Sequence, residues 1–201
     1  MAKLIAPLMS FGARGQIGKA IVYSIWKGIS TARQLVTPKN PRSNAQLAQR
    51  ALMSAVVAAW RRPALTSDIR NAWDRLAALA SRALSGFNLF ASNLVQLAAE
   101  DPDASIASAI DSSTEADISI GMLNMDDGAT GDEAGNFSVA YGVSPTQLVH
   151  GATVAIVTGS ITFDSNNLVP EGAVLYVSVR KAGTGTTVYD RSGIIAVTIE
   201  T

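Results

Sequence analysis

Midway along this chain the spacing of apolar residues changes period, and that change limits the available folds more than any other feature. Between residues 43 and 99 apolar side chains recur every three to four positions, whereas from residue 116 onward they alternate or cluster in short β-rich runs. A period near 3.6 lays one apolar stripe along a helix, and a period of two lays one apolar face along a strand. The two halves must therefore be built from different elements.

In the helical part, Ser43 with Gln46 three residues on forms a capping-box pattern. Ala48, Ala51, Leu52, Ala55, Val56 and Ala59 then fall on one face, which predicts a helix over 43–61 that Pro63 stops. A second helix is expected from about Asp68 to Leu84, capped by Thr66 or Ser67. Its buried face carries Ile69, Ala72, Trp73, Leu76, Ala77 and Ala80, and Gly86 follows as a stop. A third is expected at about 87–99, with Phe87, Phe90, Ala91, Leu94, Val95 and Ala98 on one side. Short helices joined by tight turns make a small antiparallel bundle.

The β-rich runs fall at 116–122, 136–143, 153–157, 160–163, 173–180, 186–190 and 194–199. Turn signals separate them: Asp127-Gly128, Gly131-Asp132, Asn166-Asn167, Pro170-Glu171-Gly172 and Gly183-Thr184-Gly185. About seven short strands over this length is the count of an Ig-like or fibronectin-III-like sandwich. The expected fold class is α+β: an N-terminal extended basic arm over 1–42, a helical bundle over 43–99, an acidic Ser/Ala-rich linker over 100–115 and an all-β sandwich over 116–201. The sandwich is expected to fold alone. Within the arm, Gly12, Gly15, Gly18 and Gly28 are scattered and Pro38 and Pro41 bracket Lys39-Asn40. The run Ile21–Trp26 suits either a short strand or a turn of helix.

The formal net charge of zero hides a division. Residues 1–100 hold 13 Lys+Arg and 3 Asp+Glu (13 − 3 = +10), and residues 101–201 hold 3 and 13 (3 − 13 = −10). Such a split implies two parts facing different surroundings. Charged residues are only 16% of the chain, which hints at surface covered by partners. With no cysteine, disulfides, thiolate metal sites and a cysteine nucleophile are excluded. The apolar run Leu4–Phe11 is broken by Pro7, no cleavage site follows it, and no run reaches the roughly 20 residues of a membrane span.

Motifs of catalysis are missing in turn. Gly12, Gly15 and Gly18 before Lys19 fall short of a phosphate loop, because Ala13 stands where the first glycine belongs and Ala20 where magnesium needs a hydroxyl. His150 is the only histidine and no G-x-S-x-G elbow exists. Asp126-Asp127 and Asp132-Glu133 flank glycines without the spacing of an EF-hand and read as a solvated hairpin loop. Trp60 and Trp73 are expected in the bundle core. No catalytic residue, cofactor or metal is therefore expected. Arg14, Lys19, Lys27, Arg33, Lys39, Arg42 and Arg50, interleaved with Tyr23 and Trp26, form a basic stripe that suits acidic protein surfaces or nucleic-acid phosphates.

Finally, Gly12–Asn93 resembles a family of uncharacterised proteins encoded in phage and prophage genomes. The likeness rests on an ordered series: Gly15-Gln16-Ile17-Gly18-Lys19, Tyr23, Lys27-Gly28, Ala32-Arg33, Val36–Pro41, Gln46, Arg50, Ala59-Trp60, Leu65-Thr66, Arg70–Trp73 and Ser85–Phe90. It covers about 40% of the chain. Ser43 stands where the pattern has threonine, which keeps the capping hydroxyl. The resemblance implies a virion context and assigns no chemistry. The expected function is a structural component of a tailed-phage particle (capsid decoration, neck or tail), contacting other virion proteins and copies of itself and no membrane. Arg33, Pro38, Asn40, Pro41 and Arg50 are the expected contact residues. A DNA-binding or packaging role for the basic arm is the alternative.

Overall fold

The N-terminal segment is a small β-sheet and not an extended arm. In the computed structural model, which describes residues 2–3, 13–37, 39–80, 82–101, 103–114, 117–165, 168–183 and 187–200, strands β1 (Ala2–Lys3), β2 (Gly15–Ile17), β3 (Ile21–Trp26) and β4 (Ile29–Gln34) pair in the order β1-β4-β3-β2. Gly12, Pro38, the run Leu4–Phe11, and the turn residues Asn166, Asn167, Thr184 and Gly185 lie outside the described residues. Every pairing in this sheet is antiparallel. The glycines explain the hairpins. At the β3–β4 turn, Lys27 and Gly28 both have positive φ (49° and 79°), the mirror-image turn geometry that matches strand twist. At the β2–β3 turn, Gly18 and Lys19 do the same (57° and 54°), and the Ala20 amide donates to the Ile17 carbonyl at 3.1 Å. Of the glycines whose spacing superficially suggested a phosphate loop, Gly18 therefore serves the turn and Gly15 lies in β2.

Residues 44–201 form a second compact unit. Helices α1 (Asn44–Arg61), α2 (Ser67–Leu79) and α3 (Gly86–Glu100) come first. Strands β5 (Ser105–Ser113), β6 (Ile118–Asn124), β7 (Asn136–Gly142), β8 (His150–Ala155), β9 (Ser160–Phe163), β10 (Val174–Ala182), β11 (Val188–Asp190) and β12 (Ile195–Thr198) follow. They make a three-stranded sheet, β5-β6-β9, and a five-stranded one, β11-β10-β7-β8, in which β12 also pairs with β10. Strand alternation sets the inner faces: Phe137, Val139 and Tyr141 of β7 are buried, while Asn136 and Ser138 are exposed. The two sheets approach at both margins, β8 beside β9 and β12 beside β5.

The expected α+β arrangement of arm, bundle and separate Ig-like sandwich is corrected by these findings. Among the described residues the structure is mostly β, with 39% strand, 26% helix, three helices and three sheets. The helices have no core of their own. Val56, Trp73 and Phe90 belong to the same apolar cluster as Ile106, Ile120, Phe137, Val177 and Val197. The aromatic contacts Trp60–Phe90 (4.9 Å) and Trp73–Phe90 (5.3 Å) tie α1, α2 and α3 together at that cluster. Main-chain bonds join helix to sheet: the Thr66 amide donates to Ser108 O at 2.9 Å, and the Ile194 amide to Ala72 O at 3.0 Å. The segment expected as linker contains β5, whose residues Ser105 to Ser108 are all buried. Its serines mislead by composition, because burial is matched by hydrogen bonds. Ser108 Oγ donates to Gly121 O at 3.0 Å and Ser105 Oγ to Asn124 Oδ1 at 2.8 Å.

Candidate functional site: an apolar, basic N-terminal sheet

In a sheet, residues directly opposite one another share a face. The register Ile17–Ile21, Gly15–Tyr23, Tyr23–Ala32, Ile21–Gln34 and Ile25–Ser30 places Ile17, Ile21, Tyr23 and Ile25 together. The other face carries Gln16, Val22, Ser24, Trp26, Ile29, Thr31 and Arg33. Ile17, Ile21 and Ile25 are 49%, 42% and 38% exposed, and Trp26 at the hairpin end is 62% exposed. Among the described residues of this unit only Thr31 is buried, and its hydroxyl bonds Ser24 Oγ and Ser24 O at 3.0 Å. Ile29, on the face of Thr31, is 41% exposed as well, so both faces of the sheet present apolar side chains and only the Ser24–Thr31 pair is closed.

Its charge has one sign. Residues 1–43 contain seven Lys+Arg and no Asp or Glu (7 − 0 = +7), so residues 44–201 hold the remaining nine Lys+Arg and all 16 Asp+Glu (9 − 16 = −7). Lys27 Nζ lies 4.8 Å over the Trp26 ring, a cation–π contact on an exposed hairpin. A surface of exposed isoleucine and tryptophan among cations fits a protein partner with an apolar, acidic face.

Of the expected contact residues, Arg33 is exposed on β4, opposite Val22. Asn40 and Pro41 lie exposed in the segment before α1, and Pro38 lies outside the described residues. Arg50 is exposed on α1, in the second unit. The isoleucine face was missed because Ile21–Trp26 alone does not distinguish strand from helix. The Gly18-Lys19 and Lys27-Gly28 turn pairs are the signal that would have resolved it.

The other candidates have structural work. His150 stacks on Tyr141, with ring centroids 5.5 Å apart. Asp127 Oδ1 accepts the Ala129 amide at 2.7 Å, Asp132 Oδ1 accepts Asn124 Nδ2 at 2.7 Å, and Asp126 O accepts Arg62 Nη2 at 2.7 Å. Glu133 is held by Arg191 and Lys181, at 3.0 and 2.9 Å. Among the described residues no three His, Cys, Asp or Glu side chains converge as a metal site, and no helix is long and apolar enough to cross a membrane. A half-open concavity of about 530 Å³ is lined by Val57, Trp60, Arg61, Arg70 and Phe87. A second groove, about 360 Å³, runs along the β5–β12 seam.

Comparison of the chain with protein families, curated proteins and solved structures finds no match to any of them.

Proposed function

We propose that this chain is a non-enzymatic structural component of a larger particle, of the tailed-phage kind, and that residues 1–43 attach it to its neighbours. The carrying observation is the N-terminal sheet, whose described residues bury one threonine while four isoleucines and a tryptophan stay exposed. Ordering a residue costs about 1–2 kcal/mol of backbone entropy, and isolated sheets without a covered apolar face are marginal. A partner surface supplies the missing burial. The resemblance of residues 12–93 to phage-encoded proteins supports the virion setting. Other virion proteins and copies of this chain are the partners in this reading.

The test is to purify particles from a strain whose prophage encodes the chain and quantify it by mass spectrometry. The expected result is a fixed copy number per particle that survives a high-salt wash. In complementation, Arg33→Ala with Arg50→Ala should lower incorporation, and Ile21→Glu with Ile25→Glu should lower it further. Absence from purified particles overturns the proposal. The +7 charge also suits a DNA-binding role. Sub-micromolar DNA affinity with a steep salt dependence, in a chain missing from mature particles, would favour that role instead.

A further inference from the structure

We infer that copies of this chain associate head to tail, the N-terminal sheet of one copy docking on the β5–β12 seam of the next. This rests on reading residues 1–43 as the docking element, and it names the partner. Charge chooses the mode. Two N-terminal sheets facing each other would set +7 against +7, whereas a sheet against residues 44–201 sets +7 against −7. The interface is then heterologous, one surface meeting a different one, so it extends into rings or filaments and not closed dimers.

The seam supplies the geometry of an acceptor. Among the described residues, two backbone bonds join its two sides: the Ala107 amide donates to Arg191 O at 2.9 Å, and the Glu200 amide donates to Ser113 O at 2.8 Å. Between those bonds the chain advances six residues along β5 (113 − 107) and nine on the other side (200 − 191). Unequal lengths cannot keep a ladder in register, and a single parallel bridge, Thr114 to Glu200, forms at one end. A groove is left there. Ile110 lines it, beside the fully buried Val197, together with the acidic residues Asp68, Asp111 and Glu200, and its lining contains no basic residue; Ser160 Oγ donates to the Asp111 carboxylate at 2.6 Å. The match is chiefly one of charge, Arg14 and Lys19 beside the incoming face meeting Asp68, Asp111 and Glu200, with Ile110 as the apolar contact for an incoming isoleucine. A protein occupant is favoured over nucleic acid because the docking face is dominated by exposed isoleucines, which make neither hydrogen bonds nor ion pairs to phosphate.

The experiment uses the full chain in sedimentation velocity over a range of concentrations, at about 50 mM and about 500 mM salt. The expected result is concentration-dependent species larger than a dimer, with an apparent Kd rising about tenfold or more at the higher salt. Three variants locate the contact. Ile21→Glu/Ile25→Glu and, as a milder form, Arg14→Glu/Lys19→Glu block the sheet; Asp68→Lys/Glu200→Lys blocks the groove. Each alone should be monomeric. A mixture of a sheet variant with the groove variant should give a one-to-one heterodimer that grows no further, because one wild-type surface of each kind remains. That product also shows that the variants are folded. A wild-type chain that stays monomeric throughout, stops at a dimer, or is unaffected by the groove substitutions overturns the inference. A monomeric chain still found in purified particles would sink head-to-tail association and leave the proposed function standing.

Discussion

Arg191 is the most demanding residue in the second unit. It is 1% exposed, and its Nε and Nη1 have no hydrogen-bond partner, while Nη2 reaches Glu133 Oε1 at 3.0 Å. Burial lowers its pKa from the ordinary arginine value, and the Glu133 charge opposes that shift. Glu133 is fixed in turn, its Oε2 accepting the Ser105 amide at 2.7 Å. Glu133→Gln should therefore cost about 3–5 kcal/mol in urea unfolding, because it strands a buried cation. Adding Arg191→Met to that variant should recover part of the loss. Tyr189 offers a pH handle. Its hydroxyl donates to Glu100 Oε1, and that bond, followed by desolvation and the Glu100 charge, raises its pKa above 10. A phenol with a raised folded pKa contributes stability that is full below its unfolded value, about 10, and is lost as pH climbs through the folded value. The melting temperature should fall more steeply above about pH 10 in the wild type than in Tyr189→Phe, and equal slopes would assign the alkaline limb to another group.

Elements meet where side chains are small. Gly193, in the crossing from β11 to β12, has φ +71° and lies against α2 so closely that a Cβ would fall 2.7 Å from Ala72 C and O. Gly172, before β10, has φ +78° but open space around it. Both positions should lose about 1–2 kcal/mol to left-handed backbone strain on substitution by alanine. Only Gly193→Ala must also push α2 off the sheet edge, so its loss in urea unfolding should clearly exceed that of Gly172→Ala. Equal losses would mean that α2 moves aside freely. Helix limits were close to legible in the sequence: 43–61 was expected and Asn44–Arg61 is observed. The second helix stops at Leu79 instead of 84, and the third starts at Gly86, with Ser85 Oγ accepting the Asn88 amide at 3.3 Å as its cap.

At the scale of the molecule, residues 44–201 share one core, so helices and sheets should unfold together. Trp73→Ala should cost about 3–5 kcal/mol, and helix and aromatic circular-dichroism signals should lose stability in parallel. A fragment of 116–201 lacks β5 and every helix that covers the sheet margins. It should show no cooperative melt, while 44–201 melts in one transition. A cooperative melt from the shorter fragment would restore the independent sandwich expected from strand count alone.

Periodicity by itself determined which stretches become helix and which become strand after residue 117, because a repeat of 3.6 or 2 is a local property. The charge division was equally plain, since it needs only counting. What covers each apolar face was decided by tertiary structure alone. The stripe of Trp73 and Phe90 fits a helical bundle as well as a sheet margin, and nothing within α2 or α3 distinguishes them. β5 was read as linker because Ser and Ala dominate its run around Ile106 and Ile110; it is buried through its pairing with β6, and Asn124 and Gly121 satisfy its serines. The groove at the seam depends on six residues running opposite nine, a mismatch between segments some eighty positions apart. No local pattern encodes a distance of that kind, because it arises only when both segments have been placed against the same core.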